Sequence, residues 1–204
     1  DTATSSVTVY TLPSAGFSAS DVCDGSQVSF GNSSTGANSY SWSYGDGQGS
    51  SLAAPKHTYS SAGDYRVELI AVSSNNCRDT IADTVTVNAN PVVKIAANDE
   101  CSYDEVNFSN TTTGASTYSW NLGDGNSSTA TAPSHQYKAG TYNVVLTATS
   151  SENCSTKDSL SVDVFAAPKS GFTNTTACLN DATSFTNTSS ISTGTMSHSW
   201  DFGD

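Results

Sequence analysis

Basic residues are scarce in this chain. Seven Lys and Arg stand against nineteen Asp and Glu among 204 residues, a formal net charge of −12. The seven are scattered singly, so no cluster is available to neutralise phosphates, which argues against a nucleic-acid partner. Long hydrophobic runs are missing as well; no stretch approaches the roughly 18 apolar residues of a membrane-spanning helix. The opening Asp1–Tyr10 has neither a basic start nor a long apolar run, so it does not read as a signal peptide and the sequence is expected to be mature, processed or excerpted. Also lacking are a GxSxG elbow, an HExxH pair and a phosphate loop, and no two cysteines stand at chelating spacing for zinc. What is present instead is Ser, Thr, Asn and Gly, with nine Tyr, seven Phe and three Trp spread through apolar alternation. Aromatics so distributed are not the composition of a disordered chain.

The chain repeats itself. Pro13, Pro91 and Pro168 recur at steps of 78 and 77 residues, and Cys23, Cys101 and Cys178 keep the same ruler. "VSFGNSS" from Val28 returns as "VNFSNTT" from Val106 and "TSFTNTS" from Thr183. "WSYGDG" from Trp42 returns as "WNLGDG" from Trp120 and "WDFGD" from Trp200. "DTATSSVTVY" at Asp1–Tyr10 matches "DTIADTVTVN" at Asp79–Asn88. The expected organisation is the last strand of a preceding unit at 1–12, complete units at 13–90 and 91–167, and the first half of a further unit at 168–204. The two end pieces together fall about a third short of one unit, so the sequence reads as a window on a longer array. Gly is expected as the next residue, with the partner of Cys178 some 53–57 residues on.

Within a unit the period is two. Tyr65, Val67, Leu69 and Ala71 share one face, as do Tyr142, Val144, Leu146 and Ala148. About seven short runs rich in Val, Tyr, Phe and Thr, separated by Gly, Asn and Ser, predict a small antiparallel β-sandwich of immunoglobulin type. Trp42 and Trp120 alternate with Tyr40 and Tyr118 and are expected to face inward. The Asp-Gly pairs, Asp46-Gly47 and Asp124-Gly125, predict tight hairpin turns with positive φ at both central positions.

These residues resemble the PKD (polycystic kidney disease) domain, whose hallmark is WDFGDG followed by H-x-Y and G-x-Y-x-V-x-L. Here the counterparts are "WSYGDG" with "HTY…GDYRVEL" and "WNLGDG" with "HQY…GTYNVVL". Ser43-Tyr44 and Asn121-Leu122 depart from Asp-Phe; only the copy at Trp200 has both. The resemblance implies tandem immunoglobulin-like sandwiches, generally non-catalytic, used as extracellular spacer and adhesion modules or beside secreted proteases and polysaccharide hydrolases.

In such a sandwich Cys23 and Cys77, and Cys101 and Cys154, are expected to meet at one end. The expected disulfides are Cys23–Cys77 and Cys101–Cys154, with the partner of Cys178 beyond Asp204; a reduced, buried pair is the alternative. Disulfides imply an oxidising, exported location. His57 and His135 occupy matching positions and His198 replaces Tyr40 and Tyr118, so structural roles are expected. Asp46, Asp124 and Asp204 come one per unit and cannot pair as acid and base within it; turn chemistry is the expectation. Calcium binding is the alternative role, with Asn126 as a neighbour, but no DxDxDG loop is present and no cofactor is expected. Finally, "DTA" at Asp1, "DTI" at Asp79 and "DSL" at Asp158 share a repeat position, with "DTV" at Asp83 extra. They resemble the O-glycosylation motif of Bacteroidetes-type exported proteins, giving Thr2, Thr80, Thr84 and Ser159 as candidate acceptors; a turn leading into a strand would read the same way.

Two functional expectations follow. One is a semi-rigid, disulfide-stapled stalk of a large bacterial surface adhesin or filament, exported by type IX secretion and including gliding-motility adhesins. Its partners would be neighbouring repeats of the same chain and other surface proteins or glycans. The other is an accessory module of a secreted protease or polysaccharide hydrolase; a polycystin-like ectodomain is a third, lesser reading.

Overall fold

Alternation at period two and many short Gly- and Ser-bounded runs leave little choice but sheet. The computed structural model describes residues 2–203, and every regular element in it is a strand. The first repeat contains β1 (Phe17–Ser18), β2 (Val22–Cys23), β3 (Gln27–Ser29), β4 (Gly31–Asn32), β5 (Ser39–Ser43), β6 (Gly49–Ser50), β7 (Lys56–Thr58), β8 (Gly63–Val72) and β9 (Arg78–Asn88). The second contains β10 (Ile95–Ala97), β11 (Glu100–Cys101), β12 (Glu105–Asn110), β13 (Thr117–Asn121), β14 (Ser127–Ser128), β15 (Ser134–Gln136), β16 (Gly140–Thr149) and β17 (Ser155–Phe165). A final antiparallel pair is β18 (Phe172–Asn174) with β19 (Phe185–Asn187). By contacts the chain forms two compact units, Asp1–Asn90 with Glu152–Cys154, and Pro91–Ser151 with Ser155–Asp204.

Each complete repeat is an immunoglobulin-like sandwich. One layer is a five-stranded sheet, β2-β9-β8-β5-β6 in the first repeat and β11-β17-β16-β13-β14 in the second. The other layer is β1-β4 with β3-β7, or β10-β12-β15. The strands number nine in the first repeat and eight in the second, the difference being the break at Phe30 between β3 and β4 where β12 is continuous; the Phe30 and Phe108 N–H groups donate alike, to the Pro55 and Pro133 carbonyls. Pairing is antiparallel except where β2 lies parallel to β9 (Val22 beside Val87, Cys23 beside Asn88) and β11 parallel to β17.

The cores are copies. Val28, Phe30, Trp42, Tyr44, Tyr59, Val67, Leu69, Val85 and Val87 form the first. Val106, Phe108, Trp120, Leu122, Tyr137, Val144, Leu146, Val162 and Val164 form the second. The offset is 78 up to Tyr59 and 77 thereafter, because "YSSAGDY" shortens to "YKAGTY". Tyr40 and Tyr118 pack at the edge of these cores, on the same side as the tryptophans. The third set, Phe172, Phe185, Trp200 and Phe202, keeps the ring contacts: Phe172 meets Trp200 edge-on at 5.6 Å, as Phe17 meets Trp42 at 5.3 Å. Yet Trp200 is 40% exposed where Trp42 is 3%.

The disulfide differs from the expected pairing. Cys23 bonds Cys154, with a Cα–Cα distance of 5.5 Å, and the thiols of Cys77, Cys101 and Cys178 are free. Strand register explains why Cys23–Cys77 and Cys101–Cys154 do not form. Cys23 stands beside Asn88 at one end of β9, while Cys77 immediately precedes Arg78 at the other. Ten residue steps at ~3.3 Å separate them by roughly 33 Å, far beyond the ~7 Å that a disulfide can bridge. Cys101 beside Phe165 and Cys154 before Ser155 are held apart by β17 in the same way.

Trp120 is 1% exposed and anchors its core. Trp120→Ala should destabilise the second repeat by about 3–5 kcal/mol, read as a lowered urea midpoint, with a matching loss from Trp42→Ala in the first.

Candidate functional site

The densest polar chemistry in each repeat gathers around the recurring Trp-x-x-Gly-Asp-Gly element. Trp42, next to last in β5, faces the core, and its indole N–H donates to the Leu52 carbonyl at 2.9 Å; Trp120 donates to Ala130 at the same distance. Each indole thus has a buried apolar body and a satisfied polar edge. The chain then turns through Gly45-Asp46-Gly47, closed by Tyr44 N–H donating to the Gln48 carbonyl.

The turn is not the two-residue form expected from Asp-Gly. Positive φ falls on the glycines either side, Gly45 at 84° and Gly47 at 89°, and Asp46 keeps an ordinary backbone; Gly123 and Gly125 repeat this. Gly45 is doubly constrained, since a Cβ there would lie 2.7 Å from the Arg66 carbonyl oxygen. Glycine at this position therefore lets the turn lie directly on β8.

Freed from the left-handed conformation, the aspartate does two things. Its Oδ1 accepts from the Gln48 N–H, and its Oδ2 lies 2.6 Å from His57 Nε2. In the second repeat Asp124 Oδ1 accepts from the Asn126 N–H, while Oδ2 accepts from Asn126 Nδ2 and lies 2.7 Å from His135 Nε2. Burial alone would raise these carboxyls, but the hydrogen bonds outweigh it. Asp46 is held below its ordinary range by Gln48 and His57, and Asp124 is lowered to about 2 by His135 and Asn126. His57 is 9% exposed, stacked on Tyr44 at 4.2 Å and edge-on to Tyr59.

Two residues beyond each histidine, Tyr59 donates to the Tyr44 carbonyl at 3.1 Å and Tyr137 to Leu122 at 2.9 Å. Burial, reinforced by the nearby aspartate charge, pushes Tyr59 up to about 12 and raises Tyr137 also, so both remain donors at neutral pH. Sequence pattern alone assigns the aspartates to turns and the histidines to structural places, without joining them. The signal was there: Asp46–His57 and Asp124–His135 share a spacing of 11.

Chemically the cluster is a brace. An Asp–His pair can serve hydrolysis, but the His57 ring is packed between Tyr44 and Tyr59, and the carboxylate beside the more exposed His135 is already taken by Asn126. Among the described residues no three His, Cys, Asp or Glu side chains gather as a metal would need. Asp204 lies outside the described residues. A cleft of about 740 Å³ sits elsewhere, walled by Phe172, Phe185, Trp200 and Phe202 with His198. Its walls are the third copy of the core positions, which in the complete repeats lie under β8 and β16, so it is uncovered core rather than a built ligand site. The candidate acceptors Thr2, Thr80, Thr84 and Ser159 are all exposed. Thr80 and Thr84 lie within β9 and Ser159 within β17, on strands rather than at turns.

Comparison with known proteins gives a consistent family. The profile of the PKD domain matches twice, over residues 12–87 and 88–164. Among solved structures, the PKD1 domain of Vibrio anguillarum Epp is 34% identical, the match covering 39% of this chain and 96% of that one, with a TM-score of 0.36. The PKD1 domain of the Vibrio cholerae metalloprotease PrtV is also 34% identical, covering 38% and 99%, with a TM-score of 0.35. Fibronectin(III)-like modules of Clostridium thermocellum CbhA are 16% identical, covering 74% and 94%, with a TM-score of 0.37. No curated protein matches the chain.

A carboxyl lowered on folding stabilises above its unfolded value and loses that contribution as pH falls through its folded one. For Asp124 the window runs from about 4 down to about 2. Asp124→Asn should cost on the order of 1–2 kcal/mol at pH 7 and little at pH 2, measured by urea unfolding across that range. An equal loss at both pH values would mean that the carboxylate charge plays no part.

Proposed function

Since this chain belongs to the PKD domain family, we propose that it is a non-catalytic structural segment, a semi-rigid stalk of a large bacterial cell-surface adhesin or filament. Modules of this family are generally non-catalytic, and a disulfide in such a module marks a secreted or extracellular protein. One observation carries the stalk reading: consecutive repeats reproduce the same nine core positions and the same Asp–His and Tyr ties. Duplication without divergence at the chemical groups lengthens a protein without adding a second activity.

The joint supports the same reading. β9 ends at Asn88 and Pro91 already opens the next repeat, so few residues are free to flex, and proline fixes its own φ. An 11-residue strand at ~3.3 Å per residue gives each repeat a length of roughly 36 Å. The net charge of −12 keeps neighbouring copies apart in solution. Sugar on Thr2, Thr80, Thr84 or Ser159 would add to this, and with the cysteine-bearing repeats it fits export by type IX secretion and a role in gliding motility. The partners in this reading are flanking repeats and, at a distant tip, other surface proteins or glycans.

An accessory module that holds a secreted hydrolase on a polymer would be expected to present a row of exposed aromatics. Among the described residues of the two complete repeats, the large exposed aromatics are Tyr103 and Phe165.

Antibody raised against residues 13–167 should label intact cells of the producing organism, and shearing should release long labelled fibres. Recovery only from the culture medium, bound to a polymer beside a catalytic domain, would favour the accessory-module reading. Intact mass of the native protein should exceed the polypeptide mass by whole hexose-containing units; an unmodified mass would remove the glycan from the proposal.

A further inference from the structure

The five cysteines occupy two kinds of place. Cys23, Cys101 and Cys178 open the same turn: each carbonyl accepts from the N–H three residues on, Ser26, Asp104 and Asp181. Cys23 and Cys101 also stand at the same point of the sheet, parallel to the ends of β9 and β17. Cys77 and Cys154 both follow an asparagine in the left-handed conformation, Asn76 at 61° and Asn153 at 65°, in the turn of the long hairpin. The bond that forms joins one kind to the other, but from Cys23 in one repeat to Cys154 in the next, 131 residues apart.

We infer that the cysteines follow an interleaved register: the first cysteine of each repeat bonds the second cysteine of the repeat that follows. The within-repeat alternative is closed by the roughly 33 Å of strand between the two positions. Local equivalence then carries the one observed bond along the array. Cys101, exposed and free in this chain, is matched to the second cysteine of a repeat following residue 167, and so is Cys178 one repeat later. Cys77 is matched to the first cysteine of a repeat preceding residue 13. Each bond forms by exchange with a protein disulfide of the exporting compartment. One cysteine thiolate attacks that disulfide, and the second attacks the resulting mixed disulfide. The new S–S bond forms as the mixed one breaks, and the oxidant leaves as a dithiol with the two electrons and two protons.

The register has a mechanical consequence that deepens the stalk reading but does not depend on it. Tension applied at the two chain ends passes from Cys23 to Cys154 through sulfur, bypassing the 130 residues between them. At ~3.6 Å per extended residue, about 470 Å of contour is withheld from extension.

Non-reducing digestion and mass mapping of the full chain should give a Cys23–Cys154 peptide, with Cys77, Cys101 and Cys178 alkylated. Finding Cys23–Cys77, Cys101–Cys154 or a disulfide-linked dimer would overturn the register, whatever the surface-labelling experiment returns. A chain carrying a second copy of residues 91–167 after Ala167 should additionally link Cys101 to the second cysteine of the inserted copy. Cys101 left alkylated there, in protein that retains Cys23–Cys154, would limit the bond to one site and refute the rule. Single-molecule extension of the unaltered chain should lengthen by about 470 Å when reductant is added; no change would refute the bypass.

Discussion

The long hairpin is the constraint on which each repeat depends. β8 and β9 pair over ten consecutive positions, from Gly63 beside Val87 to Val72 beside Arg78, and β16 and β17 pair over ten. Because side chains alternate across a strand, that single register places Val67, Leu69 and Ala71 with Val85 and Val87 against the core and turns Arg66 and Glu68 outward. It supplies the floor on which Trp42 packs, since β5 pairs with β8 and Trp42 lies beside Leu69. It also sets the length of the repeat and fixes what stands at each end.

The Asp–His–Tyr cluster does complementary work across the layers. Asp46 and Tyr44 belong to the turn that leaves β5, in the five-stranded sheet, whereas His57 and Tyr59 come from β7 and its exit, in the opposite layer. The Asp46–His57 pair and the Tyr59 bond to the Tyr44 carbonyl therefore hold one layer against the other. Apolar contact alone would favour the two layers meeting without specifying their relative slide. Directional bonds to a backbone carbonyl and a turn carboxylate specify it, with every buried side-chain nitrogen and oxygen satisfied among the described residues.

Much of this was legible in the sequence because repetition separates signal from accident. A Trp, a His or a Val that returns at a step of 77 or 78 is bound to a place in the fold, and the alternation around Val67 and Val144 named the core directly. The turn was harder. Asp-Gly ordinarily takes positive φ at both residues, but the extra glycine at Gly45 moves the strain off Asp46 and frees its carboxylate for His57. The Asp–His contact joins two layers, and no local pattern reports on that, although the shared spacing of 11 does so indirectly.

The cysteines were the least legible part, for a geometric reason. Sequence separation says how long a loop a disulfide would close, not whether its ends face each other. Cys23 and Cys77 are 54 residues apart, a comfortable loop, yet a straight strand stands between them. A strand can bend or twist but cannot fold back on itself without giving up its ladder, so the two thiols of one repeat are kept apart by the same hairpin that builds its core. A single repeat is then complete as a fold and incomplete as a covalent structure. In the register we infer, its two cysteines find their partners only in neighbouring repeats joined in series.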